Sequence, residues 1–128
     1  MVESEPMKNA RILLIDDDPD IAAALTDLLT DQGHAVQSAP NGKEALVLLR
    51  AEPLPQLIFL DLTMPVMDGA QFRQAQLRDR RLSTVPVVLV SADRNLAARA
   101  LELKVDGWLP KPTTAEQVLD AAERFASS

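Results

Sequence analysis

Apolar residues along the chain follow two rhythms. Ile12, Leu13, Leu14 and Ile15 form an unbroken run that stops at Asp16, and Leu57, Ile58, Phe59 and Leu60 form another that stops at Asp61. Short apolar runs without alternation predict strands buried on both faces, as in a parallel sheet. Val85 to Val90 predicts a further strand, with Pro86 near its start where a missing N–H is tolerable. Ala35 to Ala39 is a weaker candidate and Trp108-Leu109 a short last one. Between these runs the spacing turns helical. Ile21, Leu25, Leu28 and Leu29 make one stripe, then Ala45, Leu46, Leu48 and Leu49, then Leu96, Ala100 and Leu103, then Val118, Ala122 and Phe125. Asp18-Pro19 carries a helix-start signal and Gly33 a stop. Asn41-Gly42 reads as a turn, the second helix ends before Pro53, and Pro65 and Gly69 punctuate a loop before a polar helix around Phe72 to Arg80. Strand and helix alternate five times, which predicts an α/β domain with a parallel sheet and helices on both faces. The polar, aperiodic stretch 1–10 is expected to be a loose tail.

Composition narrows the chemistry. At 128 residues the chain is one domain's worth, and its formal charge of -6 disfavours a direct nucleic-acid partner. There is no cysteine, so disulfides, thiolate metal sites and thiol catalysis are excluded together. His34 is the only histidine, which excludes a multi-histidine metal site. No apolar run approaches the ~20 residues of a membrane helix, and no signal peptide opens the chain. The expectation is a soluble domain of a reducing compartment, with no output domain after the last helix.

Hard chemistry must therefore come from carboxylates, hydroxyls and lysine. Asp16 and Asp17 follow the first strand, Asp61 ends the third, Ser91 ends the fourth and Lys111 follows the fifth. Taken singly, each has a bland reading. The Asp16 to Asp20 cluster suits a helix cap, Asp61 a turn, Ser91 an N-cap and Lys111 a solvated surface charge. Taken together, they fall where open α/β sheets bind ligands, at the carboxyl ends of strands. If the first and third strands are neighbours, Asp16, Asp17 and Asp61 share a crevice with Ser91 and Lys111 on its far wall. Three facing carboxylates repel unless a divalent cation holds them, and an all-oxygen set suits magnesium.

Four motifs at this spacing, ILLIDDDPDI, LIFLDLTMPVMDG, VVLVSA and WLPKP, make the chain from about Arg11 to Phe125 resemble a receiver domain of two-component response regulators, of the single-domain chemotaxis-regulator type. The resemblance implies a flavodoxin-like, doubly wound sheet of five parallel strands in order 2-1-3-4-5, spanning residues 11–126. It implies that Asp61 is the phosphoacceptor. Asp16, Asp17, Asp61 and the backbone carbonyl of Thr63 would hold Mg2+, Ser91 would bond the phosphoryl group, and Lys111 would pair with it. The Lys111-Pro112 peptide is commonly cis in the family. The implied partners are a sensor histidine kinase or histidine phosphotransfer protein and a downstream target protein, with no nucleic acid and no membrane, in the cytoplasm. The domain would catalyse only its own phosphorylation and dephosphorylation, and would switch the surface of its fourth helix, fifth strand and fifth helix.

Some positions depart from the family pattern. Trp108 stands where Tyr or Phe usually acts as a rotameric switch, and a core tryptophan with no switching role is the competing reading. Lys104 stands where glycine is common, which works against a tight helix exit. Thr63 and Asp93 occupy the two variable positions that tune phosphate lifetime in the family. An intermediate phosphorelay carrier is the alternative within the class. A haloacid-dehalogenase-type magnesium phosphotransferase would need a second acid two residues after Asp61, where Thr63 stands. A nucleotide or flavin binder would need a glycine-rich loop where this chain has Asp16-Asp17-Asp18-Pro19-Asp20.

Overall fold

The computed structural model describes residues 9–127. The elements are β1 (Arg11–Ile15), α1 (Pro19–Asp31), β2 (Ala35–Ala39), α2 (Gly42–Leu48), β3 (Leu57–Leu60), α3 (Gly69–Arg78), β4 (Val87–Ser91), α4 (Leu96–Leu103), β5 (Gly107–Pro110) and α5 (Ala115–Phe125). All strand pairs are parallel, and the sheet runs β2-β1-β3-β4-β5. This is the flavodoxin-like doubly wound order that the motifs imply.

The unbroken apolar runs split residue by residue between the two faces. Leu13, Ile15, Ile58, Leu60, Val87 and Leu89 pack with Ala45 of α2, Phe72 of α3, and Leu96 and Ala100 of α4. Their neighbours Ile12, Leu14, Leu57, Phe59, Val88 and Val90 pack with Leu25 and Leu29 of α1 and with Val118, Ala121 and Ala122 of α5. The three central strands β1, β3 and β4 thus need apolar residues at consecutive positions, because both their faces are covered by helices.

Several boundaries differ from the sequence reading. Asn41 and Gly42 do not form a free-standing turn. Asn41 is the N-cap of α2, its side chain accepting the Glu44 N–H at 2.9 Å, and Gly42 is the first helical residue. The fourth strand begins after Pro86 and takes in Ser91, whose carbonyl accepts the Lys111 N–H at 2.9 Å. The polar third helix starts earlier than Phe72, at Gly69, because Asp68 and Gln71 close a reciprocal capping box there. Lys104 makes the tight exit that its missing glycine argued against. It adopts the left-handed conformation (φ 56°, ψ 41°) as the C-cap of α4. Of the expected tail, residues 1–8 lie outside the described residues. Ala10 is buried, and it donates its N–H to Nδ1 of His34 at 3.0 Å.

Candidate functional site

Three ladder-like hydrogen bonds carry the sheet past its strand ends and fix the polar residues there. The Asp16 N–H donates to Ala39 O at 3.1 Å, Asp61 N–H to Ile15 O at 2.9 Å, and Lys111 N–H to Ser91 O at 2.9 Å. Strand alternation then sorts the side chains. Asp16, Asp61 and Lys111 stand two residues beyond Leu14, Phe59 and Leu109, all of which pack on the α1/α5 side. Ser91 stands two beyond Leu89, on the α2–α4 side.

The first three side chains meet. Lys111 Nζ donates to Asp16 Oδ2 at 2.8 Å and to Asp61 Oδ2 at 3.1 Å. The second oxygen of each carboxylate is also engaged, Asp16 Oδ1 by the Asp18 N–H at 2.9 Å and Asp61 Oδ1 by the Thr63 N–H at 3.2 Å. Both carboxylates are buried, at 4% and 6% exposure, and Lys111 is partly buried. Burial pushes the Asp61 pKa above the ordinary carboxylate value, and the opposing pull of Lys111 and of the Thr63 N–H does not restore it. For Lys111 burial alone would lower the pKa, but its bonds to Asp16 and Asp61 reverse the sign and raise it, so the ammonium stays charged at neutral pH.

Asp17 is exposed, and oxygens of Asp16, Asp17 and Asp61 lie within 4.8 Å of one another. An all-carboxylate cluster of this size suits a hard divalent cation. Asp17 and Asp61 open onto a crevice of about 520 Å³ that is also lined by Thr63, Ser91, Asp93 and Lys111. Ser91 is 1% exposed, and its Oγ accepts the Asp93 N–H at 3.2 Å rather than bonding Lys111. The bland readings hold only in part: the Asp16 to Asp20 cluster does cap α1 and Asp61 does accept a turn bond from the Thr63 N–H, but Lys111 is not a solvated surface charge. Asp18, not Asp16 or Asp17, caps α1, and Asn95, not Ser91, is the N-cap of α4. The Lys111-Pro112 peptide is cis.

The profile of response regulator receiver domains matches residues 12–123. The chain belongs to that family. Among relatives of this receiver domain, the transcriptional regulatory protein AfsQ1 of Streptomyces coelicolor is 40% identical over 115 residues, which is 88% of this chain and 49% of AfsQ1. The chain thus spans about half of that regulator. An uncharacterized 14.6 kDa protein of Leptolyngbya boryana is 34% identical, with 89% of this chain matched to 88% of that one. The solved structure of chemotaxis protein CheY4 of Vibrio cholerae superposes with a TM-score of 0.83 at 27% identity, covering 92% of this chain and 99% of CheY4. As a member of this family the domain is phosphorylated on aspartate in two-component signalling, and it is not a conventional enzyme. No helix of the described residues is long and apolar enough to cross a membrane.

Trp108 is not a core residue. It is 48% exposed on β5, opposite Leu89 in the ladder. Sequence reasoning missed the supports of the β3–α3 loop. Gly69 packs its α-carbon against the Asp61-Leu62 backbone, and Met67 O accepts the Gly42 N–H at 3.0 Å. The glycine after Asp68 was a signal for the first. Nothing in the pattern pointed to the second.

Proposed function

We propose that the domain accepts a phosphoryl group on Asp61 from a phosphohistidine donor, with Mg2+ bound, and passes the event to the surface formed by α4, β5 and α5. The observation that carries this reading is the convergence of Asp16 and Asp61 on one lysine, with the Asp17 carboxylate in reach of both. Asp16, Asp17, Asp61 and the Thr63 carbonyl would hold the magnesium ion. When bound, magnesium supplies positive charge against the carboxylates and the phosphoryl oxygens.

The chain's own residues do the rest. A carboxylate oxygen of Asp61, made more basic by burial, forms the new O–P bond as the donor's N–P bond breaks, and the leaving imidazole keeps the electron pair and takes up a proton. Lys111 stays charged throughout and can turn from Asp16 and Asp61 toward a phosphoryl oxygen. The Ser91 hydroxyl, on the opposite side of the crevice, donates to another oxygen of the product. Trp108, half exposed beside β4, answers that movement. Residues 11–126 form the receiver unit, the phosphoryl donor is a histidine kinase or phosphotransfer protein, and the output is a docked protein in the cytoplasm.

Incubation with acetyl phosphate and magnesium tests the assignment. The chain is expected to gain one phosphoryl mass, removable by hydroxylamine, and Asp61→Asn to abolish it because an amide is not a nucleophile here. Undiminished phosphorylation of Asp61→Asn would overturn the reading.

A further inference from the structure

Helix α4 is held very differently at its two ends. Its C-terminal end is gripped by Arg73, which is buried on α3 at 5% exposure. Arg73 Nε donates to Leu103 O at 3.0 Å and Nη2 to Lys104 O at 2.8 Å. Its Nη1 donates to Gln76 Oε1 at 2.7 Å, and the fully buried Gln76 donates Nε2 to Leu82 O and Val85 O, each at 3.0 Å. A positive charge on the last carbonyls of a helix is favourable for the dipole as well as for the hydrogen bonds. The left-handed Lys104 then turns the chain so that the Asp106 N–H reaches Val87 O at 2.9 Å, while the Asp106 carboxylate accepts the Val87 N–H at 2.8 Å. The C-terminal end of α4 is thereby tied to α3, to the start of β4 and to the segment before β5.

The N-terminal end has no such polar anchor and is held in the core by Leu96 alone among its first residues. The side chain of its N-cap, Asn95, makes no capping bond. The exposed segment leading to it is held by two contacts in series, the Asp93 N–H to Ser91 Oγ at 3.2 Å and the Asn95 N–H to Asp93 Oδ1 at 2.7 Å. Ser91 Oγ, the first link, belongs to a residue lining the phosphoryl crevice. Displacing the N-terminal end would break two local bonds and shift the buried Leu96. Displacing the C-terminal end would strand a buried guanidinium and two carbonyls, which is more costly.

From this asymmetry we infer that Arg73 is the fixed pivot of α4, so that phosphorylation swings the N-terminal end of the helix about an unmoved C-terminal end. The inference rests on the phosphoacceptor reading above and adds a positioning residue remote from the crevice.

Hydrogen exchange of the whole chain, with and without beryllofluoride plus magnesium as the phosphoryl mimic, tests it. Fluorine NMR reports adduct formation separately. In the native protein the adduct is expected to change exchange in residues 93–99, while the amides of Lys104, Val105 and Asp106 keep their protection. Arg73→Met is expected to form the adduct equally well, since no crevice residue is altered. Those three amides should exchange roughly tenfold or more faster in the free variant, and the adduct's effect should spread into them. Arg73→Lys keeps the charge without the planar fork, so intermediate protection is expected; with the native pattern it carries the test if the Met variant does not fold. Adduct formation with changes at 104–106 as large as at 93–99 in the native protein, or unaltered protection in both variants, would overturn the pivot alone. Absence of any adduct would overturn the phosphoacceptor reading, and the pivot with it.

Discussion

Gly69 is the position where a single methyl group should separate the fold's tolerance from the site's. It is the first residue of α3, and its N–H donates to Leu62 O at 3.0 Å. A Cβ placed there would lie 2.4 Å from Asp61 O and 2.8 Å from Leu62 Cα, both main-chain atoms with no rotamer to yield. Restoring ordinary contact requires the helix start and the Asp61-Leu62 peptide to part by about 1 Å. Two energies compete in Gly69→Ala. Alanine gains about 0.5–1 kcal/mol over glycine within a helix, and less at its first position. Forcing a methyl into a filled site costs about 1–3 kcal/mol. The clash wins by roughly 1–2 kcal/mol, and the expected fall in Tm is roughly 5 °C. The displaced peptide carries Asp61 with it, opening bonds that already stand at 3.1 Å to Lys111 and 3.2 Å to Thr63. Phosphorylation by acetyl phosphate should slow roughly 10- to 100-fold, the scale of a misplaced reacting group. Gly33→Ala is the control. Gly33 has φ +93°, a strained setting for alanine, and it lies between α1 and β2, away from the crevice. It should lose stability while keeping the phosphorylation rate. A Gly69→Ala chain that melts at or above the parental temperature and phosphorylates at the parental rate would refute the reasoning.

Trp108 has surface left to bury, so beryllofluoride with magnesium should move its emission to shorter wavelength, and Ser91→Ala should form the adduct yet lose most of that shift; a full shift would make the indole a bystander. Asp61→Asn should raise Tm at neutral pH without metal, because burial raises the folded-state pKa and makes the ionised form costly. That advantage should shrink as pH falls through the raised value and Asp61 protonates, and melting curves across pH check the sign. Asp17→Asn should lose magnesium affinity by calorimetry with little change in Tm, since Asp17 is exposed. His34 works in the opposite sense to Asp61. Burial lowers its folded-state pKa below 6.5, so the stability it contributes is present above that value and is lost as pH falls toward the folded one. The stability gap between the parent and His34→Gln should change over that window and be level above it.

What the sequence made legible was whatever the strands dictate. Doubly buried runs such as Leu57 to Leu60 can only be central strands, and the residue that ends each run lands on the carboxyl edge of the sheet. Asp16 and Asp61 were therefore readable both in place and in company, whereas Lys111, read with Ser91 on the far wall of the crevice, instead joins the two carboxylates on their own side. Arg73 and Gln76 were not. They sit in a helix whose average polarity predicts exposure, and both are buried because the carbonyls left open at the end of α4 and before β4 require donors. Those acceptors are distant in sequence, and no local spacing reports them. Lys104 misled for a related reason. The left-handed exit is unfavourable for a lysine taken alone, but the guanidinium bond to its carbonyl favours holding the turn. Asn41-Gly42 has the composition of a turn, and only the Asn41 bond to the Glu44 N–H makes it a helix start.

The alternation of the strands also explains why the resting site is incomplete. Lys111 and the two buried carboxylates occupy one side of the sheet edge, Ser91 the other, and no hydrogen bond between side chains joins the two groups among the described residues. A one-residue change of register in β4 would place the hydroxyl among the carboxylates, where it would be held whether or not a ligand was present. With the register as it is, Ser91 needs a further acceptor on its own side of the crevice. A phosphoryl group on Asp61 brings three oxygens, enough to serve Lys111 and Ser91 together. The hydroxyl's present tie is to the segment leading into α4. The same bond that closes the site therefore draws on the loosely held end of that helix, while Arg73 keeps the other end in place.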